Sequence, residues 1–326
     1  MRDERIDGIK GLLIFSVVLG HFLELCGGVG SGVYRIIYSF HIPAFIFISG
    51  YFSPDKPKKI LKKFLPFYVV FQLLYLIFDS FFIGNKNLTF GAFFTPYWHL
   101  WYIFALMLYS LLLPVISRVK GKICYFALAI AVALSLLFPL ADINMYFLSI
   151  GRFFAFLPFF MLGNFCGKGK IRIPSVSFLV PFSLIFILCG KWASIKMLYG
   201  SFSYSYPREM IIRAFLILFA LGWISILFRI RLPHLFCILG QNTLPIYLLH
   251  GFFQRIMLTC ETKLSGDITV FLVAAAVCFS LNTLSLNMRN PLKAVDKVWK
   301  KVYNNYKNER RSIWISKKRL KKLSKK

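Results

Sequence analysis

Lys10 and His21 bracket an apolar run, Gly11-Leu-Leu-Ile-Phe-Ser-Val-Val-Leu-Gly20, in which no residue is charged. On an α-helix this spacing is about three turns, so the two side chains share one face, roughly 16 Å apart along the axis. Asp7 and Glu24 prolong the stripe by three residues at either end. An imidazole takes and returns a proton around neutrality, which suits it to acid–base work. Glu24 could orient the His21 ring or raise its basicity. A cation such as Lys10 or Arg5 suits phosphate groups. Ionisable groups inside so apolar a stretch are costly, and they mark a site of function.

The rest of the chain explains why that stretch is apolar. Of 326 residues 58% are hydrophobic and 37 are Phe, and the mean hydropathy is +0.67, which excludes an ordinary soluble domain. The formal net charge of +28 does not indicate nucleic acid as a partner. The basic residues sit in short segments between apolar runs and in the tail, where membrane proteins carry them on the cytoplasmic side. The seven Cys occur singly, without a CxxC or a His/Cys pairing at zinc spacing, so no metal site is expected. Most of them read as small hydrophobes. Cys26 and Cys260 both fall on the expected outer side, where a bridge could form.

About ten runs are long enough to cross a bilayer as helices, at 8–26, 34–53, 63–83, 97–117, 122–140, 144–166, 174–190, 209–228, 235–254 and 267–288. The first is expected to be retained as a span, because it carries His21 and Glu24 and lacks a small-x-small cleavage site. Leu25 before Cys26 also argues against a lipoprotein site. The expected fold is therefore an all-α integral membrane protein, a bundle of about ten transmembrane helices. Its membrane domain covers 1–288, and a basic cytoplasmic tail covers 289–326.

With the N-terminus inside, segments 1–10, 54–63, 118–122, 167–173, 229–232 and 289–326 are cytoplasmic. They hold 31 of the 40 Lys and Arg. Without the tail the count is still 16 against nine, which favours this orientation and puts both termini in the cytoplasm. The expected location is a bacterial-type plasma (inner) membrane. The tail could lie on the anionic inner leaflet as an amphipathic helix or act as a plain positive-inside anchor; membrane lipids are its expected partners.

Orientation gathers the histidines. His21, His41 (in Ser39-Phe-His-Ile-Pro-Ala), His99 (in Trp98-His-Leu-Trp-Tyr102) and His250 (in Ile246-Tyr-Leu-Leu-His250) all come out in the outer half of the membrane. Arg152, Glu209 and Arg213 join them there, and His234 lies inside. Any one of these could be an interfacial anchor beside Trp98 and Trp101. Seven together point instead to a polar cavity. Trp101 could stack on a sugar or anchor its helix. Two readings follow: an enzyme with a donor bound from inside and an acceptor from outside, or a transporter or flippase of a lipid-linked sugar. Inverted repeats would favour the transporter, and no convincing one is found. A structural subunit of a polysaccharide synthase is a third class.

The motifs then resemble a known family. Ile6-Asp-Gly-Ile-Lys10-Gly followed by His21 is similar to the opening signature of the membrane acyltransferase-3 family, in which a basic residue precedes a His with ten residues between. Phe40-His-Ile-Pro-Ala-Phe-Ile-Phe-Ile-Ser-Gly-Tyr-Phe52, His99–Leu106, Phe156–Gly163 and Leu239–His250 resemble its fucose 4-O-acetylase-like branch. The resemblance implies an O-acyltransferase taking acetyl from cytosolic acetyl-CoA to a sugar hydroxyl of a cell-surface or exported glycan. It implies that His21 is the essential catalytic residue, as acyl carrier or general base, and that Lys10 is its basic partner. Arg5 and Lys10 would meet the donor; His41, His99, Trp101, Arg152 and His250 would line the acceptor side. Lys10 in place of the usual Arg gives up bidentate phosphate geometry, and Gln241 stands where an Arg often precedes Asn.

Overall fold

The computed structural model describes residues 3–28, 31–54, 57–84, 91, 94–138, 147–189, 207–259 and 268–287. Asp3 caps the first helix, its carboxylate accepting from the Arg5 backbone N–H at 3.0 Å, and Ser31 caps the second in the same manner through Tyr34. The helices are α1 (Glu4–Leu25), α2 (Gly32–Tyr51), α3 (Pro57–Phe78), α4 (Trp101–Arg118), α5 (Ile123–Leu137), α6 (Ile150–Gly167), α7 (Leu179–Cys189), α8 (Pro207–Leu227), α9 (His234–Gly240) and α10 (Thr243–Thr259). A final helix, α11, covers Ile268–Asn287. The chain divides into Met1–Phe279 and Ser280–Lys326, and everything below concerns the first unit.

The protein is an all-α integral membrane protein. Among the described residues, seven helices are long and apolar enough to cross a bilayer, and α5 and α7 are shorter apolar helices. Exposed Phe67, Val70, Leu74 and Ile77 on α3 and Ile123, Phe126 and Ile130 on α5 are the side chains that lipid would cover. Pro43, Pro66, Pro114 and Pro158 all lie within helices, as membrane helices allow when neighbours satisfy the freed backbone groups. The tail after Asn287 lies outside the described residues, as does Cys260, so the possible Cys26–Cys260 bridge falls there too.

The ninth expected span is not one helix. It breaks at Gln241–Asn242, separating α9 from α10. Tight turns serve the freed amides: Gln241 donates to the Ile238 carbonyl at 3.3 Å and Asn242 to that of Leu239 at 3.0 Å. Pro245 then falls in the first turn of α10, where its missing N–H has no helical partner to lose.

α1 is the most enclosed of the long apolar helices, and α9 is laid against it at backbone contact. A methyl group at Gly11 would sit 1.8 Å from the Phe236 carbonyl oxygen, and one at Gly240 would sit 1.7 Å from that of Asp7. Lipid tails supply little hydrophobic force between helices, so such close backbone approach is what orders them. Polar contacts then bring basic segments to one end of the bundle. Arg5 donates to the Phe228 carbonyl, and Arg229 to Ser175 and Ser177. The Lys170 ammonium caps α4 through the carbonyls of Ile116, Ser117 and Val119 at 3.2, 3.0 and 2.7 Å.

Candidate active site

A cavity of about 260 Å³ runs along one face of α1. Lys10, Ile14, Val17 and His21 line it, a helical i, i+4, i+7, i+11 row, so the stripe expected from the sequence faces a shared space. Lys63 of α3 joins Lys10 in that wall, and Thr243, Leu244 and Tyr247 bring in the first turns of α10. Lys10 Nζ lies 4.0 Å from Asp7 Oδ1 and 5.2 Å from the Phe52 ring centre. α9 sets Gly240 on Asp7, and Thr243 and Leu244 at the start of α10 share the cavity wall with Lys10.

At the other end three histidines meet. His21 Nδ1 lies 2.9 Å from His250 Nε2, and His250 Nδ1 lies 3.1 Å from the Ile246 carbonyl oxygen. These bonds assign the neutral tautomers. A carbonyl can only accept, so His250 Nδ1 carries the proton and its Nε2 accepts. His21 Nδ1–H is therefore the donor, and the basic lone pair of His21 sits on Nε2. The Gln254 amide holds the same helix turn by donating to the His21 carbonyl at 2.7 Å. His99 stands beside the pair, its ring centre 6.4 Å from that of His21 and 4.9 Å from that of His250.

The Trp98 ring covers His21, with centres 4.4 Å apart. Trp98 itself has φ of +24°, a conformation costly for a bulky residue and held by its neighbours. Gln72 is one of them, accepting from the Tyr97 N–H at 2.8 Å and donating to the Thr95 carbonyl at 3.2 Å. Tyr97 in turn donates to Asp79 Oδ2 at 2.7 Å and accepts from Arg255 Nε at 2.6 Å. Arg255 Nη2 completes the triangle 3.6 Å from Asp79 Oδ2. Asp79 opens a π-helical turn (Asp79–Ile83) at the end of α3, a feature frequent at functional sites.

The other expected site residues are placed as follows. Glu24, one turn past His21, accepts the hydroxyls of Tyr34 at 3.0 Å and Tyr38 at 2.5 Å, which ties α1 to α2. His41 is buried, bonds the Ile37 carbonyl at 2.7 Å and meets the Tyr38 ring edge-on; the cavity wall described above does not include it. Trp101 lines the cavity, stacked on Phe156 with Arg152 above it at 5.0 Å. Arg5 is exposed near the end of α8. Arg213 is buried on α8, and the Glu209 side chain lies outside the described residues.

Sequence reasoning passed over Asp79, Tyr97, Gln254 and Arg255. A signal for one of them was present: Thr243, Tyr247, His250 and Gln254 form a polar i, i+4, i+7, i+11 row within an apolar helix. Asp79 and Arg255 are far apart in the chain, and nothing local pairs them.

Together these features define a multi-pass membrane protein with a hydrogen-bonded histidine pair at one end of a cavity and lysines toward the other. The chain belongs to the acyltransferase-3 family, whose acyltransferase domain matches residues 3–285. It is also similar to nodulation protein NolL of Sinorhizobium fredii (strain NBRC 101917 / NGR234), 43% identical over 58 residues. That match spans 16% of this chain and 16% of the relative's own length. No solved structure matches it.

Proposed function

We propose that the protein is an O-acyltransferase of a bacterial-type inner membrane. It moves acetyl from cytosolic acetyl-CoA to a sugar hydroxyl of a cell-surface or exported glycan, or of its lipid-linked precursor. The observation that carries this reading is the cavity that joins Lys10 and Lys63 to His21 along a single face of α1. The phosphates of the donor suit the lysines, and its thioester arm extends along the apolar wall toward His21. The crowding of basic segments at the Lys10 end supports a cytoplasmic placement of that end. Resemblance to the fucose 4-O-acetylase-like branch supports a sugar acceptor.

His21 acts as general base. Its Nε2 takes the proton of the acceptor hydroxyl as that oxygen bonds to the thioester carbon. The C–S bond then breaks, and the proton passes from His21 to the departing thiolate. His250 holds the ring and stabilises the imidazolium formed on the way, as the orienting member of a catalytic triad does. The test is transfer of radiolabel from acetyl-CoA to a crude glycan acceptor by purified protein. Wild type is expected to transfer label and release CoA, and His21→Ala to lose about 10²–10⁴-fold in rate. Wild-type rates in a folded His21→Ala variant would refute the mechanism. Movement of a lipid-linked sugar without label transfer or CoA release would favour a transporter.

A further inference from the structure

His99 presents a polar problem that the His21–His250 pair does not explain. The side chain is almost wholly buried, at 2% exposure, and neither ring nitrogen has a hydrogen-bond partner. A buried polar group left without a partner is costly, and such groups in native folds call for an explanation. The ring is nevertheless held firmly. Tyr247 donates its hydroxyl to the His99 carbonyl, the Tyr75 ring stands at right angles to the imidazole with centres 4.9 Å apart, and Gly251 lies against its edge. A methyl group at Gly251 would come 2.7 Å from His99 Cε1, so the glycine is what lets α10 pass behind the ring. His99 also lines the cavity beside His21.

We infer that His99 is the oxyanion donor of the acyl transfer: its ring N–H receives the carbonyl oxygen of the thioester as that oxygen becomes negative. The inference rests on the acyltransferase reading and assigns the one group that this reading still lacks. Imidazole in every protonation state carries at least one N–H, so a donor is always present. His21 and His99 both line the same cavity, so a thioester carbonyl lodged there meets both rings. His21 then serves the attacking and leaving atoms while His99 serves the oxygen. When the acceptor oxygen bonds to carbon, the carbonyl π pair moves onto that oxygen, against His99. When the pair returns, the C–S bond breaks and the His21 proton goes to sulfur. His99 keeps its own proton throughout. A donor fixed in place before the charge develops needs no reorganisation during the reaction.

The experiment compares His99→Phe, which removes both nitrogens but keeps a flat ring, with His99→Gln, which restores an N–H donor. Loss of one oxyanion donor typically costs about 10²–10³-fold in kcat. His99→Phe is expected to show that loss with the KM for acetyl-CoA little changed. His99→Gln is expected to recover part of the loss. A trifluoromethyl ketone analogue of acetyl-CoA, which mimics the tetrahedral oxygen, should bind wild type more tightly than His99→Phe, whereas CoA alone should not discriminate. Should His99→Phe fail to fold, as scored by thermal unfolding, His99→Leu and His99→Met carry the same expectation. Undiminished kcat in a folded His99→Phe variant, or equal losses in the Phe and Gln variants, would overturn the assignment while leaving the acyltransferase reading intact. Absence of label transfer by wild type would instead bring down that reading and this one with it.

Discussion

Replacing His250 by Phe tests the proposed His21–His250 relay at its least obvious member. The change keeps an aromatic ring in a fully buried place and removes the bond of 2.9 Å to His21. In the resting enzyme that bond joins two neutral rings and contributes about 1 kcal/mol net. In the transition state of the proposed mechanism His21 carries the acceptor's proton, and the same bond becomes charge-assisted, contributing about 1.5–3 kcal/mol. Only the difference, about 0.5–2 kcal/mol, lowers the barrier, which corresponds to roughly 2–30-fold in kcat at 1.36 kcal/mol per decade. His250→Phe should therefore lower kcat by about tenfold without altering the KM for acetyl-CoA, far less than His21→Ala. Because His250 acts through His21, its replacement in a His21→Ala background should cost almost nothing more. The assay is steady-state release of CoA by purified protein, with thermal unfolding as the control for folding. A tenfold loss that persists in the His21→Ala background would show that His250 acts independently and would refute the relay.

Four other outcomes are expected. Lys10→Met should raise the KM for acetyl-CoA by about 10–100-fold, the worth of one charge-assisted bond to phosphate, with kcat at saturation largely kept; a loss confined to kcat would place Lys10 elsewhere in the reaction. Gly11→Val puts side-chain carbons where the Phe236 carbonyl lies, and it should lower the unfolding temperature sharply or abolish the folded protein, since overpacking costs about 1–3 kcal/mol or more even without a backbone clash. Asp79→Asn weakens the anchorage of Tyr97 and Arg255, so kcat should fall through the Trp98 roof while acetyl-CoA still binds; unchanged kcat would make the triangle a purely structural tie. A cysteine placed in 304–326 of a cysteine-free variant should react with an impermeant thiol reagent only after lysis, and one placed in 191–207 should react on intact cells. Tail labelling on intact cells would invert the proposed sidedness.

The candidate site was legible in the chain only where helix geometry alone relates its parts. Lys10 and His21 sit on a single helix, so their spacing specifies a shared face whatever surrounds it, and the cavity runs along that face. His41 shows the limit: it lies in as suggestive a motif as His99, yet its helix turns it onto Tyr38. Orientation put His21 and His250 in the same half of the membrane, but the bond between them and the triangle of Asp79, Tyr97 and Arg255 join distant segments that no local pattern pairs.

What the sequence by itself determined is the class of structure. Runs of apolar residues near 20 in length have to be helices in hydrocarbon, because no other single-span conformation satisfies its own backbone. The sparse charges within them mark where chemistry is carried. The tertiary structure alone decided which of those charges meet. Side chains that face lipid and side chains that face a neighbouring helix are equally apolar, so composition does not say how the helices turn or pair. That choice falls to close backbone contacts such as Gly11 on Phe236 and to single polar bonds between helices. It also falls to the break at Gln241–Asn242, which starts α10 in the cavity wall it shares with Lys10 and carries His250 up to His21.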